Sequence, residues 1–116
     1  MSTEILTTGV DAVPDAWAQA AEPGRPRILT GRYVSLGPTG GAAADEYLHH
    51  YYGAGYRAAR ADTITAVDEL EAQVQLLETI GVTDLVLYPC TSDIDQVSAV
   101  AEALCRVRSP LQEVTP

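Results

Sequence analysis

The chain has 116 residues, enough for one small domain and too few for two. Seven Arg and no Lys stand against sixteen Asp and Glu, for a formal charge of −9. That balance disfavours nucleic acid and anionic membrane surfaces, which both require basic patches. No apolar run is long enough to span a bilayer, and MSTEILTTGV lacks the positive region and apolar core of a signal peptide, so the expected location is the cytoplasm. Cys90 and Cys105 are too few for a disulfide framework and have no metal-ligand spacing.

Residues 1–13 carry weak structural signals and are expected to be loose. Pro14, near a first helical turn, starts a short helix over residues 14–21 that contains Trp17, a packing residue. The breaker cluster Pro23-Gly24-Arg25-Pro26 ends it. Residues 27–36, RILTGRYVSL, read as a first strand, with Gly31 marking a bulge or a point of close approach. Gly37-Pro38-Thr39-Gly40-Gly41 closes that strand. A helix is expected over residues 42–52, interrupted by Gly53 to Gly55, with another turn or two near residues 56–61.

The organising stretch is Thr63 to Leu104. Val67, Leu70, Val74, Leu77 and Ile80 fall at helical spacing and place one apolar stripe along a helix over residues 66–80. Thr65, with Asp68 three residues on, resembles a capping box. Gly81 follows the last apolar residue, where a left-handed C′ position favours glycine. Residues 84–88, DLVLY, form an apolar run without alternation, the pattern of a strand covered on both faces. Pro89 ends it, since proline cannot donate to a sheet ladder. Thr91, Ser92 and Asp93 are competent N-caps for a helix over residues 93–105, whose apolar positions are Ile94, Val97, Val100, Ala101 and Leu104. The two strands are separated by far more residues than a hairpin needs. An α/β fold with two parallel strands follows. Residues 106–116 have two prolines and no apolar period, and are expected to be loose.

No self-sufficient catalytic or metal motif emerges. Gly37 to Gly41 lies between a strand and a helix, where backbone amides can hold an anion, but it is neither GxGxxG nor a P-loop; a plain turn is the commoner reading. His49 and His50 are adjacent and diverge on a helix, so they cannot share a metal. Glu46 and His50 are one turn apart, a two-ligand pair without a third member. Tyr47, Tyr51, Tyr52 and Tyr56 make this segment aromatic, either to dock a helix through Tyr47, Leu48, Tyr51 and Tyr52 or to line a lid over a planar ligand. Cys90 lies just past the end of a strand, where α/β enzymes place reactive groups, but no His follows nearby to activate it. A small buried thiol is the commoner case.

YLHHYYG (Tyr47 to Gly53) and GVTDLVLYPC (Gly81 to Cys90), with GRPRILTGRYVSLG before them and DIDQVSAVAEAL after, resemble the C-terminal part of the bacterial luciferase-like monooxygenase family. The similarity runs in order through most of residues 14–105. It implies a partial TIM-barrel-like unit in which the two strands are the last two of the barrel and the segment between residues 37 and 62 is a lid-like region. It also implies a flavin- or deazaflavin-dependent oxidoreductase, with FMN or a deazaflavin (coenzyme F-420) as cofactor. Ser35, Tyr88 and Cys90 at strand ends, and Tyr51 or Tyr52 on the lid, are the implied pocket-lining candidates, none of them a catalyst. A whole barrel takes about 250 residues, so the isolated chain is expected to be catalytically silent. The alternative is a small non-catalytic α/β interaction module that self-associates or completes a partner's barrel through its open sheet edges.

Overall fold

The computed structural model describes residues 3–21 and 23–107. In chain order the elements are α1 (Thr3–Gln19), β1 (Leu29–Val34), α2 (Gly40–Tyr52), one 3-10 turn (Gly53–Gly55), α3 (Arg57–Ala61), α4 (Val67–Ile80), β2 (Asp84–Pro89) and α5 (Ile94–Val107). The fold is mixed α/β, with β1 and β2 paired in parallel from Leu29↔Asp84 to Val34↔Pro89. The register is regular throughout, so Gly31 is no bulge. Residues 108–116, most of the expected tail, lie outside the described residues.

The centre of the chain forms as its pattern predicts. On α4, Leu70 and Leu77 are buried, and Val67 and Val74 pack against the core. Gly81 closes the helix at φ 114°, donating its amide to the Leu77 and Glu78 carbonyls. The start of α4 differs from a Thr65–Asp68 box. The Glu69 carboxylate instead accepts both the backbone amide (3.0 Å) and the hydroxyl (2.8 Å) of Thr65. Glu69 reaches back across the first turn, where its charge also suits the helix dipole.

Three further expectations are corrected. The first helix begins at Thr3 rather than near Pro14, and Pro14 lies inside it. The Thr7 and Thr8 hydroxyls donate to the Thr3 and Glu4 carbonyls, and buried Val10 packs beside Gly81, so tertiary contact extends a locally weak helix. On α5 the buried residues are Val100 and Ala103, with Val107 packed against the core. Ile94, Val97 and Leu104 are exposed. Two apolar stripes compete on that helix, and the core takes only one.

The third correction concerns the sheet. Side chains alternate along a strand, and Val34, Leu36 and Leu87 join Ile64, Leu70, Val100 and Ala103 in a single core beneath α4 and α5. On the opposite face, Val86 and Tyr88 are exposed. β2 is therefore covered on one face, not both. The outer edge of β1 is partly capped by Ile64, whose amide donates to the Tyr33 carbonyl while its own carbonyl accepts from Ser35.

The Trp17 indole donates to the Gly24 carbonyl at 3.0 Å and ties the breaker turn to α1. Arg27 and Asp84 join the starts of the two strands through two hydrogen bonds, at 3.2 and 2.8 Å. The Arg27 guanidinium, then the Thr83 hydroxyl, hold the Asp84 carboxyl below the usual range.

Candidate functional site

The sheet face turned away from α4 and α5 carries Gly31, Tyr33, Val86 and Tyr88, brought side by side by the pairings Gly31↔Val86 and Tyr33↔Tyr88. Helix α2 docks through buried Ala44 and Leu48, which leaves its tyrosines partly in solvent. Tyr33 is the hub. Its ring lies 5.9 Å from Tyr47, 6.2 Å from Tyr52 and 6.0 Å from Tyr88, with tilted or edge-on geometry. The Tyr33 and Tyr52 hydroxyls share a 2.8 Å hydrogen bond. That bond, and then partial burial, raise the Tyr33 phenol above its ordinary value, so it stays neutral well into alkali.

Beyond the strand ends lies a cavity of about 430 Å³ lined by Glu46, Tyr47, His50, Cys90, Thr91 and Ser92, with Ala43. The sequence left Cys90 without a histidine; the fold brings His50 and Glu46 to the same cavity. The Glu46–His50 pair was visible from its spacing, whereas its meeting with Cys90 depends on how α2 folds over the strands. No hydrogen bond joins the thiol to His50 among those of the described residues. Burial pushes the Cys90 thiol up, against a smaller opposing influence of the Arg60 charge. A buried, protonated thiol is a poor nucleophile. No group of three or more His, Cys, Asp or Glu able to hold a metal ion occurs among the described residues.

A second cavity, of about 280 Å³, opens between the first turns of α2 and α5. Ser35, Thr39 and Gly40 line one side, and Thr91, Asp93, Asp95 and Gln96 the other. Ser35 is completely buried, and its hydroxyl has no hydrogen-bond partner among the described residues. Gln96 clamps the end of β1 to α5: its amide oxygen accepts from the Leu36 amide at 2.7 Å, and its amide nitrogen donates to the Leu36 carbonyl at 3.2 Å. Sequence reasoning missed that clamp, which a polar residue in the first turn of an amphipathic helix does not advertise.

The pocket candidates thus separate into two groups. Tyr52 and Tyr88 belong to the tyrosine cluster around Tyr33. Tyr51, 68% exposed, rides outside it against Tyr52 and Tyr47. Ser35 and Cys90 are buried at neighbouring cavities near the strand ends. Tyr33 carries no motif of its own, although its alternation with Gly31 and Ser35 places it on their face. Among the described residues, no helix is long and apolar enough to cross a membrane. No family model, curated protein or solved structure matches the chain.

Proposed function

We propose that this chain is the C-terminal part of a luciferase-like, flavin- or deazaflavin-dependent oxidoreductase barrel, with β1 and β2 as its last two strands. The observation that carries the reading is the one-sided covering of a parallel pair. Helices α4 and α5 bury one face, while Val86 and Tyr88 on the other remain open. A barrel wall has this asymmetry, with helices outside and an inner face that neighbouring strands enclose.

The exposed faces of Tyr88 and Tyr52 suit a planar ring system, and this chain would contribute one wall of its pocket. A bound flavin-type ring would supply hydride transfer or oxygen activation. The residues here would orient that ring and exclude water from it, with the Tyr33–Tyr52 hydrogen bond holding α2 against the strand.

Titration of the purified chain with FMN and with the deazaflavin coenzyme, alongside light scattering, tests the proposal. Saturable binding by a defined oligomer, lost in Tyr88→Ala, supports a cofactor wall in this chain itself. Absence of binding by a discrete dimer favours the second reading, an interaction module that self-associates or completes a partner's barrel. One observation speaks for that alternative: a groove of about 210 Å³ runs beside β2, its floor made by Leu77, Leu85, Leu87 and Leu104 and its rim carrying Glu78 and Asp84. A strand or helix added there would cover it.

A further inference from the structure

We propose that the cavity between the first turns of α2 and α5 binds a phosphate group, as inorganic phosphate or a small phosphate monoester. The inference is independent of the barrel reading. Helix α2 has thirteen residues, and its N-cap residue Thr39 makes no side-chain capping hydrogen bond. Gly40 and Ala43 donate their amides to the Gly37 and Thr39 carbonyls, and the Gly41 and Ala42 amides have no acceptor among the described residues. An uncapped helix start of this kind concentrates donors and positive dipole.

The second observation is Ser35. It lines the same cavity, is fully buried, and carries an unpartnered hydroxyl. That hydroxyl lies 3.8 Å from where a Gly40 Cβ would stand, directly under the first turn of α2. A buried hydroxyl without a partner is costly unless something supplies one. A phosphate oxygen accepts from a hydroxyl and from backbone amides alike, so a phosphate seated in this cavity would offer an acceptor to the Ser35 hydroxyl while meeting the positive end of α2 at Thr39 and Gly40.

Helix α5 makes a different contribution. Its start is already capped, since the Asp93 carboxylate accepts the Asp95 amide at 3.0 Å and the Thr91 hydroxyl accepts the Asp93 amide at 3.2 Å. Asp93 and Asp95 also line the cavity, and their charge opposes an anion. This opposition fixes the sign of a test. An anion site tightens when a carboxylate is removed, whereas a cation site weakens.

The experiment is a titration of the full chain with inorganic phosphate and with glycerol phosphate, following the amide resonances of Gly40, Gly41 and Ala42 at constant ionic strength. Saturable shifts at these amides are expected with phosphate and absent with chloride. Ser35→Ala should weaken binding roughly threefold to tenfold, the loss of one hydrogen bond. The same substitution should leave the melting temperature of the ligand-free chain unchanged or raised, because it removes an unpaired polar atom. Asp95→Asn should tighten binding a few-fold. Tighter binding of glycerol phosphate than of inorganic phosphate would identify a monoester as the ligand class, and the reverse would identify the free ion. The proposal is overturned by absence of saturable shifts, by equal shifts with chloride, by an unchanged affinity in Ser35→Ala, or by weaker binding in Asp95→Asn.

Discussion

The ring of Tyr88 lies against the Cα of Gly31 on the neighbouring strand. A Cβ at residue 31 would stand 2.5 Å from the ring's Cε2 atom. Glycine is there to admit an aromatic ring, and the tyrosine cluster spreads across the sheet because of it. Gly31→Val should therefore swing Tyr88 outward. Tyr88 is half exposed and its ring is free to move, so the stability loss should stay within about 1 kcal/mol. Near-ultraviolet circular dichroism should register the change.

Gly40 is a contrasting case. A Cβ there would collide with the Ser35 carbonyl, which is backbone and held by neighbouring ladder bonds. Gly40→Ala should cost about 1–3 kcal/mol, the range for overpacking a tight site. Urea denaturation of the two glycine variants side by side measures the difference.

The choice of stripe on α5 is testable in the same way. Val100 is buried and Val97 is 57% exposed. Val100→Ala should cost roughly 1.5–3 kcal/mol, two buried methylene equivalents plus a residual cavity. Val97→Ala should change stability by no more than about 0.5 kcal/mol. A reversed order would mean that the Ile94–Val97–Leu104 stripe faces the core.

The Arg27–Asp84 pair predicts an acid-side response. The carboxyl is held below its ordinary value, so its contribution to stability is present above about pH 3.9 and is lost as pH falls through the depressed folded value. Carbon-detected titration of Asp84 should place its midpoint below that of a free aspartate. In Arg27→Gln the midpoint should rise, and molar salt should move it the same way, because the pair is exposed.

The two thiols should differ in reactivity. Cys90 is buried with its pKa raised, whereas Cys105 is exposed. The raised value means that the fold favours the neutral thiol. Its contribution holds below the unfolded pKa near 8.5 and fades as pH rises through the folded value. At pH 8, iodoacetamide should label Cys105 at least about tenfold faster than Cys90. Mass spectrometry of timed aliquots gives the ratio.

What the sequence by itself determined is whatever local chemistry fixes. The stripe of Leu70 and Leu77, the left-handed close at Gly81, the parallel pairing of β1 with β2 and the turn after β1 all follow from spacing, propensity and connection length. Tertiary structure decided the rest. Helix α5 carries two apolar stripes, and only contact with Val34, Leu36 and Leu70 selected the one with Val100 and Ala103. The continuous apolar run of β2 looked like a strand covered twice, yet α4 and α5 reached one face only, and that left Val86 and Tyr88 of β2 exposed beside the half-buried Tyr33. The meeting of Glu46, His50 and Cys90, and the burial of Ser35 under α2, join residues tens of positions apart or separated by a turn whose path periodicity does not encode. Periodicity tells which side of an element is apolar; only packing tells what, if anything, lies against it.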